Sequence, residues 1–187
     1  MDALIVASTP KQQHALTDVV NGLKITCAVC STAAEARRAS MSRPYDLFVI
    51  NGGLIDERGN ELCIDLAQAL DCGGVYVDEY AYVDMFEDDL MSEGVIALTR
   101  PITRSGLSDA VRLVSAANAR VRALKAKNEE LSAKLEDQKY ISRAKIVLMR
   151  SLGYTEDQAH KYIEKKSMDQ RVSRRKIAME ILKTYEA

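Results

Sequence analysis

Neither glycine nor proline interrupts the 46 residues between Gly106 and Gly153, and this stretch limits what the chain can fold into more than any other feature. One helix through it would extend about 69 Å at 1.5 Å per residue. Within it Val114, Ala117, Val121, Leu124, Asn128, Leu131 and Leu135 recur at alternating spacings of three and four, the a/d seam of a coiled coil over three heptads. Asn128 falls at an a position, where one buried amide per helix pairs best with its twin in a parallel, in-register coil. The seam therefore predicts a parallel homodimer with these seven residues as its contacts. The alternative is an amphipathic helix that packs back on the chain's own N-terminal part.

Ahead of this helix the pattern switches repeatedly between strand and helix periods. Ala3 to Ala7 is a short apolar run, followed by a helical stretch from about Lys11 to Gly22. Lys24 to Ser31 alternates as a strand, and Thr32 is an N-cap for an Ala-rich helix to Ser42. Tyr45 to Ile50 is a buried-strand run, Gly59 to Leu70 a helix, Gly74 to Val77 a strand, Tyr80 to Ser92 a weaker helix and Gly94 to Leu98 a fifth strand. Five alternations predict an α/β class: a doubly wound five-stranded parallel sheet with helices on both faces. Cys27 and Cys30 fall in one strand, where side chains three apart point to opposite faces, so they read as buried reduced thiols rather than a zinc pair. Met1-Asp2-Ala3 lacks a basic flank and no apolar run approaches the roughly 20 residues of a membrane span, which predicts a cytoplasmic protein without a membrane partner.

Open sheets of this kind place their chemistry at the carboxyl ends of the strands. With Asp46-Leu47-Phe48-Val49-Ile50 followed by a loop, and Leu98-Thr99-Arg100-Pro101 near the end of the fifth strand, roughly the first 105 residues resemble the receiver domain of two-component response regulators. The resemblance implies a magnesium-binding acidic pair after the first strand, a phosphorylated aspartate after the third, a hydroxyl after the fourth and a lysine before proline. Those positions here are Ala7 and Ser8, Asn51, Asp78 and Arg100. Magnesium needs several hard oxygen ligands and an amide is a poor nucleophile, so phosphorylation by the family's aspartyl route is not expected. The domain reads as a pseudo-receiver retained for dimerisation or for a protein partner, with no cofactor and no metal. Asp56 and Glu57, downstream in the same loop, read as solvated turn residues.

Behind the seam the charge reverses. From Lys139 onward twelve Lys and Arg stand against six Asp and Glu, a net of +6, while the rest of a chain of net −1 carries −7. Ile141, Ala144, Lys145, Leu148 and Met149 continue the helix on a rotated apolar face, and Gly153 stops it. Thr155-Glu156-Asp157-Gln158 is a capping box for a second helix with Ala159, Tyr162 and Ile163 inward. Ser173 caps a third with Ile177, Ala178, Ile181 and Leu182 inward. The expected organisation is a receiver-like domain over 1–105, a coiled-coil helix over 106–138 and an all-α three-helix bundle over 139–187.

Ile141 to Lys145, Leu148-Met149, Thr155 to Ala159, Ser167-Met168-Asp169 and Ile177-Ala178 together resemble the ANTAR domain of transcription antiterminators. The resemblance implies a response-regulator-type transcription regulator whose RNA-binding domain engages paired hairpins with six-nucleotide loops in nascent leader mRNA. Binding would keep an overlapping terminator from forming. Ile146 replaces a glycine frequent in the family, and Glu164 a frequent basic residue. On the residues' own terms, Arg143, Lys145, Arg150, Lys161, Lys165, Lys166, Arg171, Arg174 and Arg175 supply a cationic surface of the kind that neutralises RNA phosphates. Tyr140 is the aromatic least committed to the core. Two alternatives are a DNA-binding response regulator, with Arg174, Arg175 and Lys176 entering a major groove, and a coiled-coil adaptor that binds protein only. An enzyme is not expected, because His14 and His160 are the only histidines and there is no glycine-rich phosphate loop or recognisable nucleophile.

Overall fold

A computed structural model describes residues 1–185 in two compact units, Met1–Arg122 and Ala123 onward. The first contains β1 (Asp2–Val6), α1 (Pro10–Gly22), β2 (Thr26–Cys30), α2 (Ala33–Ser42), β3 (Leu47–Asn51), α3 (Asn60–Leu70), β4 (Gly74–Asp78), α4 (Tyr80–Ser92) and β5 (Ile96–Thr99), followed by the start of α5 (Arg104–Leu152). All strand pairs are parallel, in the order β2-β1-β3-β4-β5. The doubly wound five-stranded α/β fold expected from the alternation is therefore the fold observed.

The period of two within β1 explains the layering. Leu4 and Val6 join Phe48, Ile50, Leu62, Leu66, Tyr76 and Leu90 on one side, against α2, α3 and α4. Ala3 and Ile5 join Leu16, Val20, Val49, Val75 and Val77 on the other, against α1 and α5. Strands β3 and β4, wholly buried, read as continuous apolar runs because helices cover both of their faces. Cys27 contributes to the second cluster and Cys30 to the first; both are free thiols, and burial is the leading cause raising each pKa.

Local chemistry fixes the helix starts. Thr9 and Gln12 form a capping box at α1, with Pro10 in the first turn. The Thr32 hydroxyl accepts from Glu35 N at 3.2 Å at α2. Asp56 completes that second cap from a distance: its two oxygens accept from Ala33 N and Ala34 N, each at 3.0 Å. Those two hydrogen bonds hold the Asp56 carboxyl below its ordinary range. Glu57 binds Arg37 through both oxygens, at 2.7 and 3.2 Å. Asp56 and Glu57 lie in a bend of the loop and Asp56 is exposed, as read from the sequence, but both also tie the β3–α3 loop to α2, which that reading did not include.

The first unit extends to Arg122, past the expected boundary at 105, because Leu107, Ala110, Val111 and Val114 are buried in its second core cluster. Asn118, 7% exposed, anchors this part of α5. Its amide accepts from Gly73 N at 2.9 Å and donates to Asp46 O at 2.9 Å and Gly73 O at 3.1 Å. Val114, expected at the head of the coiled-coil seam, is 2% exposed and committed to this core. That expectation is corrected: a side chain already buried within its own unit cannot also pack across a dimer.

The second unit contains the rest of α5, α6 (Glu156–Gln170) and α7 (Arg174–Tyr185). Gly153, at φ 69°, ends α5 in the left-handed region. Thr155 and Gln158 form the expected capping box, and Ser173 Oγ accepts from Lys176 N at 3.3 Å at the head of α7. Ala144, Val147, Leu148, Ala159, Ile163, Ile177, Ala178, Ile181 and Leu182 make one core. Val147 takes the place expected of Met149, which is 40% exposed. No described helix is long and apolar enough to cross a membrane.

Candidate nucleic-acid interface and receiver pocket

The strand ends that would hold a phosphoryl group are satisfied internally. Ala7 is fully buried, and Ser8 Oγ donates to Gly53 O at 3.3 Å. Asn51, buried at the end of β3, accepts from Arg100 Nη2 at 2.8 Å, and the same nitrogen donates to Gly52 O at 3.0 Å. Asp78, 3% exposed, accepts from Tyr76 OH at 2.5 Å and Glu79 N at 2.8 Å. Burial, then this hydrogen bond, pushes the Tyr76 phenol far above its ordinary range, so it remains a donor. A Cβ on Gly52 would collide with the Asp78 carboxylate and the Tyr76 hydroxyl. The five positions named from the sequence therefore hold a guanidinium, a carboxamide and one capped carboxylate. Among the described residues no cluster of His, Cys, Asp or Glu is arranged to hold a metal ion.

In the second unit α5, α6 and α7 carry the basic residues. Tyr154 and Tyr162 meet edge to face at 5.8 Å, filling the corner where α5 turns into α6. The neighbouring α6 begins with Glu156 and Asp157, which complement its positive end.

Residues 129–182 match the family model described as ANTAR domain. These residues are an ANTAR domain. The chain is similar to the transcriptional regulatory protein PdtaR of Mycobacterium tuberculosis, 26% identical over 146 residues that cover 78% of this chain and 71% of that protein. Its sheet unit has the receiver fold. A two-component response regulator from Clostridium difficile superposes with a TM-score of 0.53 at 20% identity, over 61% of this chain and 94% of that one. The signal receiver domain of an HD domain-containing protein from Pseudomonas fluorescens Pf-5 gives 0.58 at 18% identity, over 65% and 91%.

Within the ANTAR domain the nine cations expected to contact RNA fall into two groups. Lys145, with a side chain 17% exposed, is held by Glu156 at 2.6 Å, and the lysine holds the Glu156 carboxyl below its ordinary range. Arg174 pairs with Glu164, Lys166 with Glu180 at 3.9 Å, and Arg175 with Asp137 at 3.0 Å and Glu136 at 3.6 Å. These four cations brace the bundle. Arg143, Arg150, Lys161, Lys165 and Arg171 are exposed; Lys161 and Lys165, four apart on α6, share a face. Glu164, in place of a basic residue, is thus the partner of Arg174, and Ile146 is half exposed rather than buried.

On α5 the seam residues after Val114 are open to solvent. Ala117 and Asn128 are exposed, and Val121, Leu124, Leu131 and Leu135 are 45 to 65% exposed. The sequence reading missed the bracing acids, because Glu136, Asp137 and Glu164 meet their partners only after α7 folds back. It also missed Asn118, which stands four residues from Val114 in a region where the heptad pattern dominated.

Proposed function

We propose that this protein is an RNA-binding transcription antitermination regulator that works as a parallel homodimer in the cytoplasm. Each protomer would grip one of two adjacent hairpins in nascent leader mRNA and so keep a terminator from forming. The observation that carries the proposal is the ANTAR domain at residues 129–182, with Arg150, Lys161, Lys165 and Arg171 exposed on its helices. Cations of this kind supply the salt-dependent part of RNA affinity, while unstacked loop bases supply the specificity. The open seam from Ala117 to Leu135 supports the dimer, since four large apolar side chains at heptad spacing are stabilised by burial against a second copy. The DNA-reading alternative is weaker, because Arg174 and Arg175, at the head of α7, are occupied by carboxylates.

The receiver unit acts in this scheme without aspartyl phosphorylation. Arg100 lies on the amide of Asn51, and nothing at Ala7 or Ser8 would hold magnesium. Control would then come from the amount of protein or from a protein bound to the receiver unit. The test is a gel shift of the full-length protein on a leader RNA with two adjacent hairpins, paired with single-round transcription through its terminator. Binding lost on loop mutation but resistant to duplex DNA, with increased read-through, is the expected result. Equal competition by duplex DNA or by unstructured RNA would overturn the reading.

A further inference from the structure

Glu136, Lys139, Tyr140 and Arg143 line a cavity of about 210 Å³ on the surface of α5. Tyr140 is half-buried and packs against the ANTAR core, which fixes its ring. The guanidinium of Arg175, from α7, lies 5.1 Å from the ring centroid. Arg175 is itself oriented by Asp137 and Glu136. The cavity thus combines a phenol ring, two cations, Lys139 and Arg143, and a carboxylate, Glu136, whose side chain is 61% exposed, with the Arg175 guanidinium beside the ring but outside the lining.

This combination selects among ligands. A phosphate alone would use the cations but neither the ring nor the carboxylates, and a cationic side chain would meet three positive groups. An unstacked nucleobase uses all of them: aromatic and guanidinium planes stack bases, and cations receive the flanking phosphates. A carboxylate only accepts hydrogen bonds. It therefore suits the exocyclic amino group of adenine, cytosine or guanine, whereas uracil offers only a ring N3–H flanked by two carbonyl oxygens that repel a carboxylate.

The position on α5 also fits. Taking Leu131 as d and Leu135 as a, Glu136 is at b, Asp137 at c, Lys139 at e, Tyr140 at f and Arg143 at the next b. Positions b, c and f point away from a coiled-coil seam, so a dimer joined through that seam leaves one such cavity open on each protomer. The geometry points to a base-reading subsite at Tyr140, in which one amino-bearing loop base stacks on the Tyr140–Arg175 pair and donates to Glu136. This rests on the RNA-binding reading above.

The test is selection of full-length protein against an RNA library of hairpins with six randomised loop nucleotides, run in parallel for wild type, Glu136→Gln, Tyr140→Phe and Tyr140→Leu. Wild type should enrich hairpins that exclude uracil at one loop position. Tyr140→Phe should keep that pattern, and Tyr140→Leu should bind the winning hairpin about tenfold more weakly, the loss of one stacked base. Glu136→Gln should admit uracil at that position alone, because its amide can donate as well as accept. Its side chain is exposed, and Asp137, at 3.0 Å, still holds Arg175 when the longer contact to Glu136 is lost, so this arm stands even if Tyr140→Leu disturbs the fold. An unchanged loop pattern in Glu136→Gln, or undiminished binding by a folded Tyr140→Leu, would overturn the subsite while leaving RNA binding intact. A wild type that enriches no hairpin at all would instead overturn the RNA-binding reading, and the subsite with it.

Discussion

Replacing Asn118 by leucine, close in size but unable to hydrogen bond, should destabilise the sheet unit by about 3 kcal/mol. The side chain makes three hydrogen bonds, one accepted from Gly73 N and two donated to Asp46 O and Gly73 O, each worth about 1 kcal/mol net. The penalty on the stranded Gly73 N–H and C=O adds to this, and the apolar gain of a buried leucine offsets part of it. With a urea dependence of about 1.5 kcal/mol per M, the unfolding midpoint should fall by about 2 M. Circular dichroism in urea, read with hydrogen exchange of the β4 backbone, assigns the loss to this unit rather than to the ANTAR domain. Asn118→Asp should be no better at neutral pH, because its carboxylate keeps the contact to Gly73 N but faces two carbonyl oxygens. An Asn118→Leu midpoint within about 0.3 M of wild type would refute the argument that this amide holds α5 to the sheet.

Four further outcomes follow from particular residues. Asn51→Asp should gain no phosphoryl group by intact mass after acetyl phosphate treatment with magnesium, because Ala7 and Ser8 still supply no carboxylate to bind the ion. Asp56, whose folded pKa is depressed by capping α2, contributes stability that is present above its unfolded pKa near 4 and lost as pH falls through the lower folded value. Asp56→Asn should therefore flatten the decline of the urea midpoint between pH 5 and pH 3, a comparison that an unchanged slope would contradict. Lys161→Ala with Lys165→Ala should lower the slope of log affinity against log salt by about 2 for a hairpin RNA. Lys145→Ala, by contrast, should leave that slope near wild type and reduce the bundle's resistance to urea, since this lysine is engaged by Glu156.

Short-range patterns were enough for most of the architecture. Thr32, Thr155 and Ser173 mark helix starts by chemistry that acts within three residues, Gly153 marks a stop, and the five apolar runs announce a buried parallel sheet. That the acidic set implied by the receiver resemblance has no counterpart here is equally visible, because it is a matter of which residue types stand at strand ends. What the linear order concealed are pairings between residues far apart in it. Asp56 reaches back to cap α2, Glu164 and Asp137 engage Arg174 and Arg175, and Asn118 bonds to Gly73. A heptad pattern cannot tell whether Val114 faces a second chain or its own sheet, since both are apolar and occur at the same helical spacing. Burial against the sheet decided that position, and folding of α7 onto α5 and α6 decided that Arg174 and Arg175 meet carboxylates. Periodicity and capping are local properties written into neighbouring residues, whereas charge pairing and burial depend on distances that exist only once the chain has folded.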